Sequence, residues 1–265
     1  VSAGAQPDPA SVPGQNLDRN AARQWLKLQI DKEPPILKQI VALHKEAQLN
    51  AFKARDAKKK RSAKDRLSNT PVTGLLRKQA DVNPMVLLAA GVATADHILE
   101  LGASRLAARA NIDANAASKW MNAARDVKRA QPGDDLPALS PSDWCEEDVS
   151  LVRSLLILES AGLLRYATHT QGLSYASDRA RAVLKGTNWL RWKFKASASD
   201  DLAANVAELS EWISSGNGEA NLEQVESHLA RHLALVDGLR DPNEVARLWG
   251  YKHEELVTLL REEIP

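Results

Sequence analysis

One cysteine, Cys145, stands in 265 residues. That excludes an internal disulfide or a cysteine-rich zinc site and fits a reducing compartment. No run approaches the ~18 apolar residues of a membrane span, so no membrane partner is expected and a cytoplasmic location is, on the nucleoid if the source is bacterial. The segment Val1 to Gly14 lacks the basic stretch and apolar core of a signal peptide and reads as a flexible leader. Val1 in place of methionine leaves open a non-standard start, a processed end or an excised fragment. Aromatics are only 5%, and seven of them are tryptophans, which suits small tryptophan-anchored cores. No glycine-rich loop with its lysine is present to cradle a nucleotide. His228 and His232 stand at i, i+4, but the glutamate of the zinc-protease motif is missing between them. Cys145 and six scattered histidines pair no nucleophile with a base, and Glu146-Glu147 and Asp200-Asp201 read as helix caps. The expectation is therefore no catalytic residue, no metal, no cofactor and no enzyme activity.

What is abundant is charge, unevenly spread. Residues 1–133 hold 22 Lys/Arg against 12 Asp/Glu, a net of +10. Residues 134–197 hold 8 and 8, and residues 198–265 hold 5 and 14, a net of −9. A basic first half suggests a polyanion partner, with the acidic end serving another purpose.

Helix signals dominate. Apolar residues at Trp25, Leu26, Ile30, Leu37, Ile40 and Ala47 follow helical spacing, and Pro34-Pro35 divides the stretch into helices over about 18–32 and 36–66. After Phe52 the apolar stripe ends. Eight of the fourteen residues from Lys53 to Arg66 are basic, including Lys58, Lys59, Lys60, Arg61 and Lys64, spread around the whole helix. Such a helix has no face to bury, so it projects into solvent or lies along a polyanion. Ser68-Asn69-Thr70-Pro71 and Gly74 mark a boundary.

Residues 85–129 read as short helices joined by sharp turns. Gly91 ends the first, Thr94 caps the next, and Asn111-Ile112-Asp113 opens a longer helix whose buried face is Ala117, Trp120, Met121, Ala124 and Val127. Ile112, Ala117, Trp120 and Met121 keep the spacing of the helix-hairpin-helix family, which this stretch of about 45 residues resembles, with Gly91-Val92, Ile98 and Leu99 resembling a first, degenerate hairpin. Asn111 and Asp113 depart from the glycines usual in that family. The resemblance implies contacts to DNA phosphates through hairpin amides at helix N-termini. Asp113 is positioned to cap its helix and compete with that phosphate. Asn111, Asn115, Ser118 and Lys119 would lie at the hairpin, with Arg105 and Arg109 before it and Arg125 and Arg129 beyond. Backbone contacts of this kind position a protein without reading sequence. The alternative is a structural hairpin that mediates protein contacts.

A turn-rich linker, Gln131 to Asp135, precedes a strong helix with Val152, Leu155 and Leu158 buried, ending near Ala161-Gly162. Short strands at Leu163–Tyr166 and Leu173–Ala176 around a loop at Thr168–Gly172, then a helix from Asp178 to Lys185, are expected. The run Leu155 to Leu164 and this order resemble the second half of a winged helix-turn-helix domain over about 50 residues. Such a domain reads DNA by its helix N-terminus, yet Glu146, Glu147 and Asp148 there repel phosphates, leaving wing or protein contacts. Arg191, Lys193 and Lys195 alternate with Leu190, Trp192 and Phe194, a pattern open to a nucleic-acid contact or a half-buried edge strand.

The expected architecture is a mainly α, multi-module protein with a small β-wing. Its order is a leader (1–17), a basic helical arm (18–70), a helix-hairpin-helix domain (75–131), a winged-helix-like domain (136–197) and an acidic helical domain (198–265). The expected partner is the DNA backbone, duplex or branched, in replication, repair or defence. A protein partner would dock on the winged helix or the acidic end, which otherwise folds back on the basic half. An accessory subunit or fragment of a helicase or nuclease, and a winged-helix transcription regulator, are the alternatives.

Overall fold

The computed structural model describes residues 19–78, 83–130, 136–186 and 198–264. The leader and the alternating segment with Arg191, Lys193 and Lys195 lie outside the described residues. Among those described, the protein is mainly helical, with ten α-helices, two 3-10 turns and no strand. In chain order the helices are α1 (Arg19–Asp31), α2 (Pro35–Asn69), α3 (Pro84–Ala89), α4 (Ala95–Ala110), α5 (Ala114–Arg129), α6 (Glu146–Tyr166), α7 (Thr168–Gly186), α8 (Ala198–Ser214), α9 (Asn217–Gly238) and α10 (Pro242–Glu263). The 3-10 turns are Val72–Lys78 and Pro141–Asp143. The Pro34-Pro35 pair falls between α1 and α2, where Pro35 opens the second helix with no hydrogen bond to lose.

The chain forms two compact units. One comprises residues 1–48 and 156–244, the other residues 49–155 and 245–265. Neither follows the linear order expected from composition: the basic arm and the acidic end are each shared between the two.

The first unit has two apolar clusters. Ala22 and Leu26 of α1 meet Ala180 of α7 and Leu202, Val206 and Leu209 of α8. Leu37 and Ile40 of α2 meet Leu164, Leu173, Val225 and Leu229 from α6, α7 and α9. Ile213 and Leu233, on the same helices α8 and α9, are exposed.

The second unit's core runs from Leu67 through Val72, Leu87, Val92, Ile98, Leu106 and Ala117 to Trp120, Met121 and Ala124. Two backbone bonds, Val72 N to Ala93 O and Ala95 N to Thr70 O, both 2.9 Å, tie the entry of this core to its first sharp turn. Trp249, Leu256, Val257 and Leu260 of α10 are also buried. Trp249 packs edge-on against Trp144, centroids 6.3 Å apart.

The β-wing is not found. Leu163–Tyr166 is the last turn of α6, and Leu173–Ala176 lies within α7. Thr170, Leu173, Ser177 and Ala180 are buried at helical spacing, a period that the sequence carries but that alternating apolar residues mask over four positions. Gly172 sits in the helix because a Cβ there would overlap the Asn221 carboxamide of α9. It serves a close helix–helix approach and not a loop. Gly162 likewise sits inside α6, facing the His44 ring. Helix 146–166 therefore runs five residues beyond the expected end at Ala161.

The basic stretch of α2 is not a free-standing arm. Ala51 and Ala54 are buried, and the helix has a covered side that continues to Lys58, whose side chain is 12% exposed.

Candidate nucleic-acid interface

Residues 84–129 fold as the local signals require. α3 ends in Gly91 at φ +74°, where a side chain is strained. Arg109 Nε donates to the Ala90 carbonyl at 2.8 Å, and Arg109 also crowds the space beside Gly91. Thr94 Oγ1 caps α4 by accepting from His97 N, and His97 Nδ1 accepts in return from Ala93 N, each at 3.4 Å. Gly102, at φ +73°, breaks α4 into two short helices.

At the second turn Asn111 adopts φ +48°, the left-handed region in which asparagine replaces glycine at low cost. The Ile112 amide donates to the Ala107 carbonyl at 3.1 Å, closing α4 before α5 begins. Asp113 Oδ1 accepts from Ala116 N at 2.8 Å. The carboxylate thus caps α5 and occupies one of the amides at its N-terminus.

α5 then separates cleanly into two faces. Ala117, Trp120, Met121 and Ala124 are buried and Val127 is partly buried. Asn115, Ser118, Asn122, Arg125 and Arg129 are exposed at i, i+3, i+7, i+10 and i+14, a single stripe. Arg125 donates to Asn122 Oδ1 at 3.1 Å along it. Lys119 is half-buried at its edge. Asn122 is missing from the sequence-based expectation, though its spacing from Ser118 and Arg125 is a sufficient signal. Arg105, on the helix before the hairpin, and Asn111 are exposed. Asp96, Glu100, Asp113 and Asp126 are the carboxylates of residues 84–129 and temper the charge of this stretch.

Three cations in the basic stretch of α2, Lys58, Lys60 and Arg61, are engaged with carboxylates. Lys58 donates to Asp148, a pair whose side chains are 12% and 9% exposed. Arg61 Nη1 donates to Glu147 Oε2 at 2.7 Å. Lys60 pairs with Asp56 one turn away at 2.7 Å, Lys59 is half-buried, and Lys64 is exposed. The Glu147 and Asp148 carboxylates, read from sequence as repelling DNA at the start of α6, are instead the counter-charges of α2. Asp148 Oδ2 also accepts from the Cys145 amide at 3.1 Å and thiol at 3.0 Å. Burial works against its charge, but the hydrogen bonds from Cys145 and Lys58 outweigh this and hold the carboxyl below the ordinary aspartate range. Burial, then the bond to Asp148, pushes the Cys145 thiol up, away from nucleophilic use. The pairing links residues some 90 positions apart, and no local signal carries it.

Among the described residues no three His, Cys, Asp or Glu side chains cluster to hold a metal, and no helix is long and apolar enough to cross a membrane. No protein-family model, curated protein or solved structure matches this chain.

Proposed function

We propose that this protein binds the phosphate backbone of duplex or branched DNA with little sequence preference, through α5 and the turns that precede it, within a replication, repair or defence assembly. The observation that carries the reading is the exposed stripe Asn115, Ser118, Asn122, Arg125 and Arg129 opposite the buried tryptophan face. Arg105 and Asn111 extend it. These are donors suited to phosphate oxygens, and they sit on a helix whose position is fixed by its core. Lys58 and Arg61 drop out of the interface because each already has a carboxylate.

The test is a fluorescence-anisotropy titration of a labelled duplex at several salt concentrations. Binding should weaken steeply with salt, and the Arg105→Ala/Arg125→Ala/Arg129→Ala variant should flatten the slope of log K against log salt by ~0.9 for each phosphate no longer neutralised. No binding, salt-independent binding, or an unchanged slope in the variant overturns the proposal. A second reading, a protein-docking role for the same hairpins, draws on Met85, Val86 and Leu88, which α3 leaves exposed. Under it the arginine variant leaves partner binding intact while Met85→Ser weakens it.

A further inference from the structure

In the first unit, the end of α1, one side of α7, and the junction of α8 with α9 surround a cavity of about 500 Å³. This is within the range of small-molecule sites, ~300–1,000 Å³. Leu173, Ala176 and Leu222 give it apolar walls, and Trp212 an aromatic one. Gln29 of α1 lines it while only 9% exposed. Its carboxamide offers a donor and an acceptor side by side.

The tryptophan is held in place. Tyr175 packs against Trp212 with centroids 5.1 Å apart, and its hydroxyl donates to Glu208 at 3.1 Å, which in turn pairs with Arg179 at 3.0 Å. The charge at the cavity is balanced. Glu33 is engaged by Arg181 at 2.6 Å and by the Ser177 hydroxyl at 3.2 Å, which leaves Lys32 and Glu219 with opposite signs. A neutral polar ligand body suits such a lining better than a metal ion or a polyanion. At one end, α9 starts at Gly216 with no side-chain cap, and Gly216 and Gly218 leave that helix N-terminus open to an acidic substituent.

We propose that this cavity binds a planar heterocycle of nucleobase size, Trp212 covering its face and Gln29 bonding its donor–acceptor edge. The site shares no residue with α5, so it stands or falls independently of the DNA reading. Calorimetric titration of the full chain with the four ribonucleosides and with their monophosphates tests it. At least one nucleoside should bind saturably, and Gln29→Met should weaken it about tenfold, as expected for one lost neutral hydrogen-bonding partner. Trp212→Ala should abolish it, while the triple arginine variant of α5 leaves it unchanged. If a monophosphate binds tighter and Lys32→Ala removes the difference, the ligand carries a phosphate; equal affinities identify the free nucleoside. Absence of binding at millimolar probe, or Gln29→Met and Trp212→Ala variants that are folded by circular dichroism and bind like the parent, overturns the proposal.

Discussion

Lys58 and Asp148 show how one pair changes the reading of a whole charge run. With both side chains nearly buried, losing one partner strands the other, a change that costs ~3–5 kcal/mol when such a pair is broken. Asp148→Asn or Lys58→Met should therefore lower the unfolding free energy in urea by roughly that amount, and Lys58→Met/Asp148→Leu should recover much of it. Additive losses in the double variant would show that the two residues do not act as a pair. The same carboxylate sets an acid limb. Its folded value lies below its unfolded one, so its contribution is complete above the ordinary aspartate value of ~3.9 and is lost as pH falls through the folded value. In Asp148→Asn that limb should be shallower. His232 works in a milder window. Burial lowers its value, and its Nδ1 lies 3.0 Å from the Ser160 hydroxyl. Stability should be full above ~6.5, the ordinary histidine value, and fall as pH drops through the folded value. His232→Gln should flatten Tm between neutral and mildly acidic pH, and an unchanged profile would show that another group titrates there.

At the scale of elements, α5 rests on local chemistry, and its caps can be tested by name. Asp113→Ala removes the side-chain bond to Ala116 and should cost ~1 kcal/mol. It also frees an amide and removes a negative charge beside the proposed phosphate site, so the less stable variant should bind DNA more tightly at low salt. Equal or weaker DNA binding in Asp113→Ala would mean that the carboxylate does not compete. That the helices from 84 to 129 are legible in the sequence follows from the same locality. Gly91, Thr94, Asn111 and Asp113 act on neighbours within five residues, and the tryptophan face repeats at helical spacing. The expectation of a β-wing fails because the reason for Gly172 is Asn221, 49 residues away, and no turn. The buried side of α2 is invisible in the sequence for a similar cause: Lys58 and Arg61 look like free cations until residues 147 and 148 are placed beside them. What sequence can offer of the candidate site is its donors; which of them already have partners is a long-range property.

For the whole molecule, the linear charge pattern suggests an acidic end that folds back on the basic half, so that its removal would leave a tighter DNA binder. The helices between residues 198 and 263 belong to both units, and several of their apolar residues are core. Leu202, Val206 and Leu209 sit in one cluster of the first unit, and Val225 and Leu229 in the other. Trp249, Leu256, Val257 and Leu260 are buried as well. Each such side chain contributes ~1.5–3 kcal/mol on burial, so the cost of uncovering even a few of the surfaces they pack against is large beside the ~5–15 kcal/mol of net stability typical of a folded protein. A chain ending at Ser197 should therefore not become a tighter DNA binder through loss of a fold-back segment. It should lose its cooperative thermal transition and its near-ultraviolet circular dichroism, keeping only part of its helical signal. Scanning calorimetry of the two chains at equal concentration decides this. A single sharp transition in the shortened chain, with the α5 interface still binding DNA, would show that the last 68 residues are dispensable to the fold and would return them to a purely regulatory or docking role.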